Sequence, residues 1–114
     1  MLQIQAYRHY NENTRKAIYY IEENYHRNIS LNDIASAINV NSSYLSRVFK
    51  NDTGQNVIEY LNKIRLDKAV SLINEGKYTI KEISYKVGIQ NYNYFFKLYK
   101  KFTGTTPSEY KKQG

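Results

Sequence analysis

The stretch from Ser30 to Gly54 recurs, in altered form, from Thr79 to Gly104, and the two can be aligned almost residue for residue. A chain built this way must make the same local structure twice. The first copy opens Ser30-Leu31-Asn32-Asp33-Ile34 and the second Thr79-Ile80-Lys81-Glu82-Ile83. Each places a hydroxyl residue three positions before an acid, the pattern in which side chains at a helix start satisfy backbone N–H groups that lack intrahelical partners. Val40 aligns with Ile89, 49 positions on, whereas Tyr44-Leu45 aligns with Tyr94-Phe95 and Gly54 with Gly104, 50 positions on. One residue is therefore inserted near the second turn. Each copy reads as a short helix, a turn and a second helix, the helix-turn-helix arrangement.

Around these copies the apolar spacing predicts further helices. A first helix is expected over about Glu12 to Tyr25, with Ala17, Ile18 and Ile21 on one face. Within the first copy the spacing predicts Leu31 to Ile38, the turn Asn39-Val40-Asn41, and Ser42 to about Asp52 closed by Gly54. From about Asn56 to Asn74, Val57, Ile58, Leu61, Ile64, Leu66, Ala69, Val70, Leu72 and Ile73 cover more than one helical face, as expected of a helix packed against both copies. At a rise of 1.5 Å per residue it would span about 28 Å, close to the roughly 34 Å turn of DNA. Gly76 ends it, and Pro107 is placed to open a last helical turn. The fold class expected is all-α. Its divisions are an N-terminal extension or linker at 1–10, a first lobe at 11–54, a linking helix at 55–76 and a second lobe at 77–114.

Composition narrows the function. Formal net charge is +7 with a pI near 9.5, which favours a polyanionic partner. From Lys86 to Lys112 there are six Lys and one acid, Glu109. No apolar run approaches the roughly 18 residues that span a bilayer, and no signal-peptide pattern opens the chain, so a cytoplasmic protein is expected. The chain has no Cys, which removes thiolate nucleophiles, disulfides and Cys-ligated zinc. His9 and His26 lie outside both copies and make no paired His-acid motif, so they read as surface residues. Neither an enzyme, a metal site nor a cofactor is expected.

Helical phase separates a core face from an outer face in the second helix of each copy. Leu45, Val48 and Phe49 form a buried stripe in the first, leaving Ser42, Ser43, Ser46, Arg47 and Lys50 outward; Phe95, Leu98, Tyr99 and Phe102 form the equivalent stripe in the second, leaving Asn91, Tyr92, Asn93, Phe96, Lys97 and Lys100 outward. A helix in a major groove needs this mixture: Arg for guanine O6 and N7, Asn for adenine, hydroxyls for several bases, apolar surface for the thymine methyl. The helix starts at Ser30, Asn41, Thr79 and Asn91 are expected to offer N–H groups to phosphates, helped by Lys97, Lys100, Lys101, Lys111 and Lys112. Double-stranded DNA is the expected partner. The alternative from another class is a module that binds RNA polymerase or another regulator without reading bases.

The segments Asp33-Ile34-Ala35, Ser43-Tyr44-Leu45-Ser46-Arg47-Val48-Phe49-Lys50, Arg65-Leu66 with Ala69, Thr79-Ile80-Lys81-Glu82-Ile83, Val87-Gly88-Ile89, Tyr94-Phe95 and Gly104-Thr105-Thr106-Pro107-Ser108-Glu109-Tyr110 occur in one order and spacing. In these, from about Ala17 to Tyr110, the chain resembles the DNA-binding domain of the AraC/XylS family. The resemblance implies two homeodomain-like three-helix lobes joined by a long helix, with both recognition helices presented to successive major grooves. It also implies transcription regulation, mostly activation with contact to RNA polymerase, by a DNA-binding segment acting as a monomer. By position it assigns base reading to Ser43, Ser46 and Arg47 in one lobe and to Tyr92, Asn93 and Lys97 in the other. Ser84 stands where the family usually has Ala, Ile89 where it usually has Phe, and Phe96 where a small polar residue is common.

Overall fold

The computed structural model describes residues 9–109. Its helices are α1 (Glu12–Asn24), α2 (Leu31–Ala37), α3 (Ser42–Thr53), α4 (Val57–Glu75), α5 (Ile80–Lys86) and α6 (Tyr92–Thr103), with a helical turn opening at Pro107. No strand occurs among the described residues. The architecture is the all-α, double helix-turn-helix fold with a long helix between the lobes. The described residues form two compact units: one takes residues 9–24 together with Ile29–Leu61, the other takes Tyr25–Asn28 together with residues 62–109.

In the first unit α1 packs on α2 and α3. Asn11 starts α1, its side-chain oxygen accepting from the Asn13 N–H at 2.8 Å, and Thr14, Ala17, Ile18 and Ile21 make the buried stripe. Ser30 and Asp33 form a reciprocal capping box on α2. The turn that follows passes through Asn39 at φ 61°, a left-handed conformation that Asn tolerates better than most residues. Gly54, at φ 78°, closes α3 and donates to the Lys50 carbonyl at 2.8 Å. Leu45 and Phe49 are buried, and the Phe49 ring meets Tyr60 edge-on at 5.3 Å.

The second unit repeats this plan. Thr79 and Glu82 form the capping box on α5, Gly88 takes the turn at φ 90°, and Gly104 closes α6 at φ 86°. Its core gathers Leu66, Ala69 and Ile73 of α4, Ile83, Val87 and Ile89, and Phe95 and Tyr99 of α6. The inserted residue is Gln90: the two turns match through Val40 and Ile89, whose N–H groups bond the carbonyls of Ala35 and Ser84, before Asn41 and Asn91 cap the next helices. Ser84 is buried without an orphaned hydroxyl, because its Oγ donates to the Ile89 carbonyl across the turn. Arg65 lies in this unit too, where Nε donates to the Tyr25 carbonyl and Nη2 to the Arg27 carbonyl, each at 2.8 Å. Burial lowers the Arg65 pKa.

The repeat continues past the glycines. Thr53 donates to the Phe49 carbonyl at 2.9 Å and accepts from the Gln55 N–H; Thr103 does the same with Tyr99, at 2.8 Å, and Thr105. Asn56 then accepts from the Glu59 N–H at the start of α4, and Thr106 with Glu109 makes a further reciprocal box around the turn that Pro107 opens.

Three expectations are corrected. Phe102 is not part of the core stripe: it is 45% exposed, at the position that in the first unit is Asp52, whose carboxylate accepts from the Asn11 N–H at the surface. Helical phase was right, but the core stops at Tyr99. Ile58, among the apolar positions of α4, is likewise exposed. The capping side chains also occupy N–H groups that the helix starts were expected to offer. Ser30 takes the Asp33 N–H and Thr79 the Glu82 N–H, while the Asp33 and Glu82 carboxylates accept from Ser30 and Thr79 and place negative charge where a phosphate would dock.

Candidate nucleic-acid interface

The first recognition helix, α3, is oriented by its own caps and by α1. Asn41 accepts from the Ser43 and Tyr44 N–H groups at 2.8 and 3.3 Å. Ser43, Arg47 and Lys50 are exposed, whereas Ser42 and Ser46 are half-buried. Ser43, Ser46, Arg47, Val48, Lys50 and Asn51 line one open depression along the helix. The depression therefore brings together four of the five expected residues. Ser42 stands apart, its hydroxyl donating to the Asn32 side-chain oxygen.

Three residues of this face were not anticipated, among them Val48, expected in the buried stripe but only half-buried and lining the depression. Asn51, exposed and one turn after Arg47, could have been found from phase alone. Tyr44 was read only as a repeat marker. Its ring lies 5.7 Å from the Arg47 guanidinium carbon, and its hydroxyl accepts from the Asn11 and Asn13 carboxamides at 3.4 Å. An aromatic face held in this way limits where the guanidinium can go.

The second helix, α6, carries a different face on the same scaffold. Asn91 caps it, its side-chain oxygen accepting from the Tyr94 N–H at 3.0 Å, so its amide nitrogen remains as the donor. Asn93, Tyr94, Lys97, Lys100 and Lys101 are exposed. Tyr92 and Phe96 are half-buried and stacked, ring centroids 4.8 Å apart and planes within 8°. Phe96, expected to face outward, is thus only partly open to solvent, since this contact covers one ring face with the other. Lys86 sits 4.3 Å over the Tyr78 ring, away from this set in sequence. Lys111 and Lys112 lie outside the described residues, as does Tyr110. His9 and His26 are exposed.

Two tandem helix-turn-helix lobes with basic, outward recognition faces define a class of duplex-DNA reader. A family profile for a helix-turn-helix domain matches residues 34–113. The C-terminal domain of AraT, a response regulator from Geobacillus stearothermophilus, is 32% identical and superimposes with a TM-score of 0.89 over 93% of this chain and 88% of that one. An uncharacterized response regulatory protein of Staphylococcus epidermidis is 36% identical over 82% of this chain and 37% of its own length. The DNA-binding domain of AdpA, solved with a target DNA, shares the fold at 16% identity, with a TM-score of 0.84 over 90% of this chain and 93% of that one. The chain belongs to the AraC/XylS family of helix-turn-helix DNA-binding domains, and its function is sequence-specific binding of double-stranded DNA in transcription regulation. The family consists of transcription regulators, not enzymes.

Proposed function

We propose that the chain reads a duplex site as a monomer, with α3 and α6 entering successive major grooves. The observation that carries this reading is that both lobes present the same element, started by an Asn cap and closed by a left-handed Gly, with different side chains on its outer face. Two different faces in one chain call for a directional site, its contacted segments about 10 bp apart. On α3, Arg47 is suited to a guanine and Ser42, Ser43 and Ser46 to base edges or phosphates, with Lys50 on the backbone. On α6, Asn91, Tyr92, Asn93 and Phe96 face the bases, and Lys97 and Lys100 neutralise phosphates. Lys101, Lys111 and Lys112 add to that charge. The functional divisions are the lobes 11–54 and 77–114, the linking helix 55–76 and the extension 1–10.

The chain spans only 37% of the S. epidermidis relative, which supports a role as the output domain of a longer regulator. A cytoplasmic activator that also touches RNA polymerase fits the family, and no helix among the described residues is long and apolar enough to cross a membrane.

The test is selection of bound duplexes from a random pool, followed by anisotropy titration of enriched and scrambled duplexes. The expected result is an enriched site bound on the order of 10³-fold more tightly than its scrambled counterpart. A chain that enriches nothing, or binds both duplexes alike, would be a protein-binding module instead.

A further inference from the structure

We infer that the two lobes read their half-sites by different chemistry, and that the stacked Tyr92–Phe96 pair is a surface for thymine methyl groups. The inference rests on the DNA-reading role proposed above and assigns the base class that α6 selects. With the 50-residue offset, Tyr92 and Phe96 stand where α3 has Ser42 and Ser46, and Lys97 stands where α3 has Arg47. At the second of these positions, therefore, α3 offers the Ser46 hydroxyl and α6 the Phe96 ring; at the first, the Ser42 hydroxyl is given to Asn32 and α6 has the Tyr92 ring. Hydroxyls can pair with any base edge; Phe96 has neither donor nor acceptor and discriminates only through apolar contact and shape. The one apolar group a base pair shows in the major groove is the thymine C5-methyl.

The geometry favours a reading surface over a core extension. The second core is completed by Phe95 and Tyr99, both fully buried, and the half-buried apolar side chains packed against it include Leu98 but neither Phe96 nor Tyr92. Phe96 and Tyr92 keep part of their surface in solvent and stack on each other, 4.8 Å apart and within 8° of parallel. A stack of this kind fixes both rings before DNA arrives, so little rotamer freedom remains to be lost on binding. Asn93 and Lys97, the neighbouring exposed positions, supply the polar contacts that would seat the helix around the pair.

Deoxyuridine differs from thymidine only by that methyl, which gives a test needing no mutant. Each thymine of the enriched duplex is replaced singly by deoxyuridine and titrated with the full chain, then with Phe96→Ser and Phe96→Leu, with thermal melting of each variant. Burial of one methyl-sized group corresponds to about fourfold in affinity. The expected result is a loss of that size at one or two thymines confined to one contacted segment, absent in Phe96→Ser and partly kept in Phe96→Leu. Arg47→Ala should leave this deoxyuridine profile in place. Deoxyuridine without effect in either segment would overturn the inference while leaving the DNA-reading role intact. So would a profile unchanged in Phe96→Ser alongside a lowered melting temperature, which would make the pair a packing feature. A chain that enriches no duplex would overturn the underlying role and the inference together.

Discussion

At the scale of single residues, Gly88 shows how far a local reading reaches. Its φ of 90° calls for glycine, and a Cβ there would also lie 2.7 Å from the Tyr25 carbonyl oxygen. Gly88→Ala should therefore cost about 2 kcal/mol or more, combining left-handed strain with a backbone clash. Asn39, its counterpart at φ 61°, should lose only about 1 kcal/mol as Asn39→Ala. Urea denaturation of the two variants checks the contrast. The turn glycine was legible in Val87-Gly88-Ile89; the approach of residues 25 and 26 was not, because nothing local marks a contact across 60-odd positions of chain. The outward position of Arg47 was legible from helical phase, but its placement against Tyr44, held in turn by Asn11 and Asn13, was not. Arg47→Ala should lose about 1–3 kcal/mol on the enriched duplex and much less on a scrambled one, as read by competition titration. Equal losses on both would reduce Arg47 to a phosphate contact.

At the scale of elements, the caps were the most legible feature and also the source of one error. The S-x-x-D and T-x-x-E patterns located α2 and α5, and both boxes form. Counting the same helix starts as phosphate sites overlooked that a formed box takes the N-cap and N3 N–H groups and adds a carboxylate. The Glu82 carboxyl is held below its ordinary value, chiefly by the Thr79 backbone N–H and then by the Thr79 hydroxyl. A depressed folded pKa means that this contribution is present above the ordinary carboxylate value and is lost as pH falls through the lower, folded one. Thr79→Ala should cost about 1 kcal/mol near neutral pH. Most of that difference should persist in acid, because Thr79→Ala keeps the backbone N–H that chiefly depresses Glu82, as followed by thermal melts across that range. Helix ends came within a residue or so of expectation because Gly54, Gly76 and Gly104 mark them, all with positive φ. How deep each helix sits was less legible: phase puts Phe102 and Phe95 on one side, yet Phe95 is buried and Phe102 is exposed.

At the scale of the whole molecule, the charge of +7 and the exposed lysines of α6 predict affinity that falls steeply with salt. If about six phosphates are neutralised, binding should weaken roughly 10³-fold between 50 and 200 mM salt. A flat response would remove the electrostatic part of the account. The fold class, the repeat and the basic surface were all readable from the sequence, since each follows from pattern and composition. The pairing of Tyr92 with Phe96 was not, because two aromatics one turn apart can equally splay. The central claim is that one chain carries two unlike reading faces for one directional site. It is tested most directly by hydroxyl-radical footprinting of the enriched duplex at a binding stoichiometry measured in parallel. One chain per duplex should protect two segments of unlike sequence about 10 bp apart on one face of the DNA. Two chains on a symmetric palindrome, or a single protected segment unchanged by substitutions in α6, would contradict it.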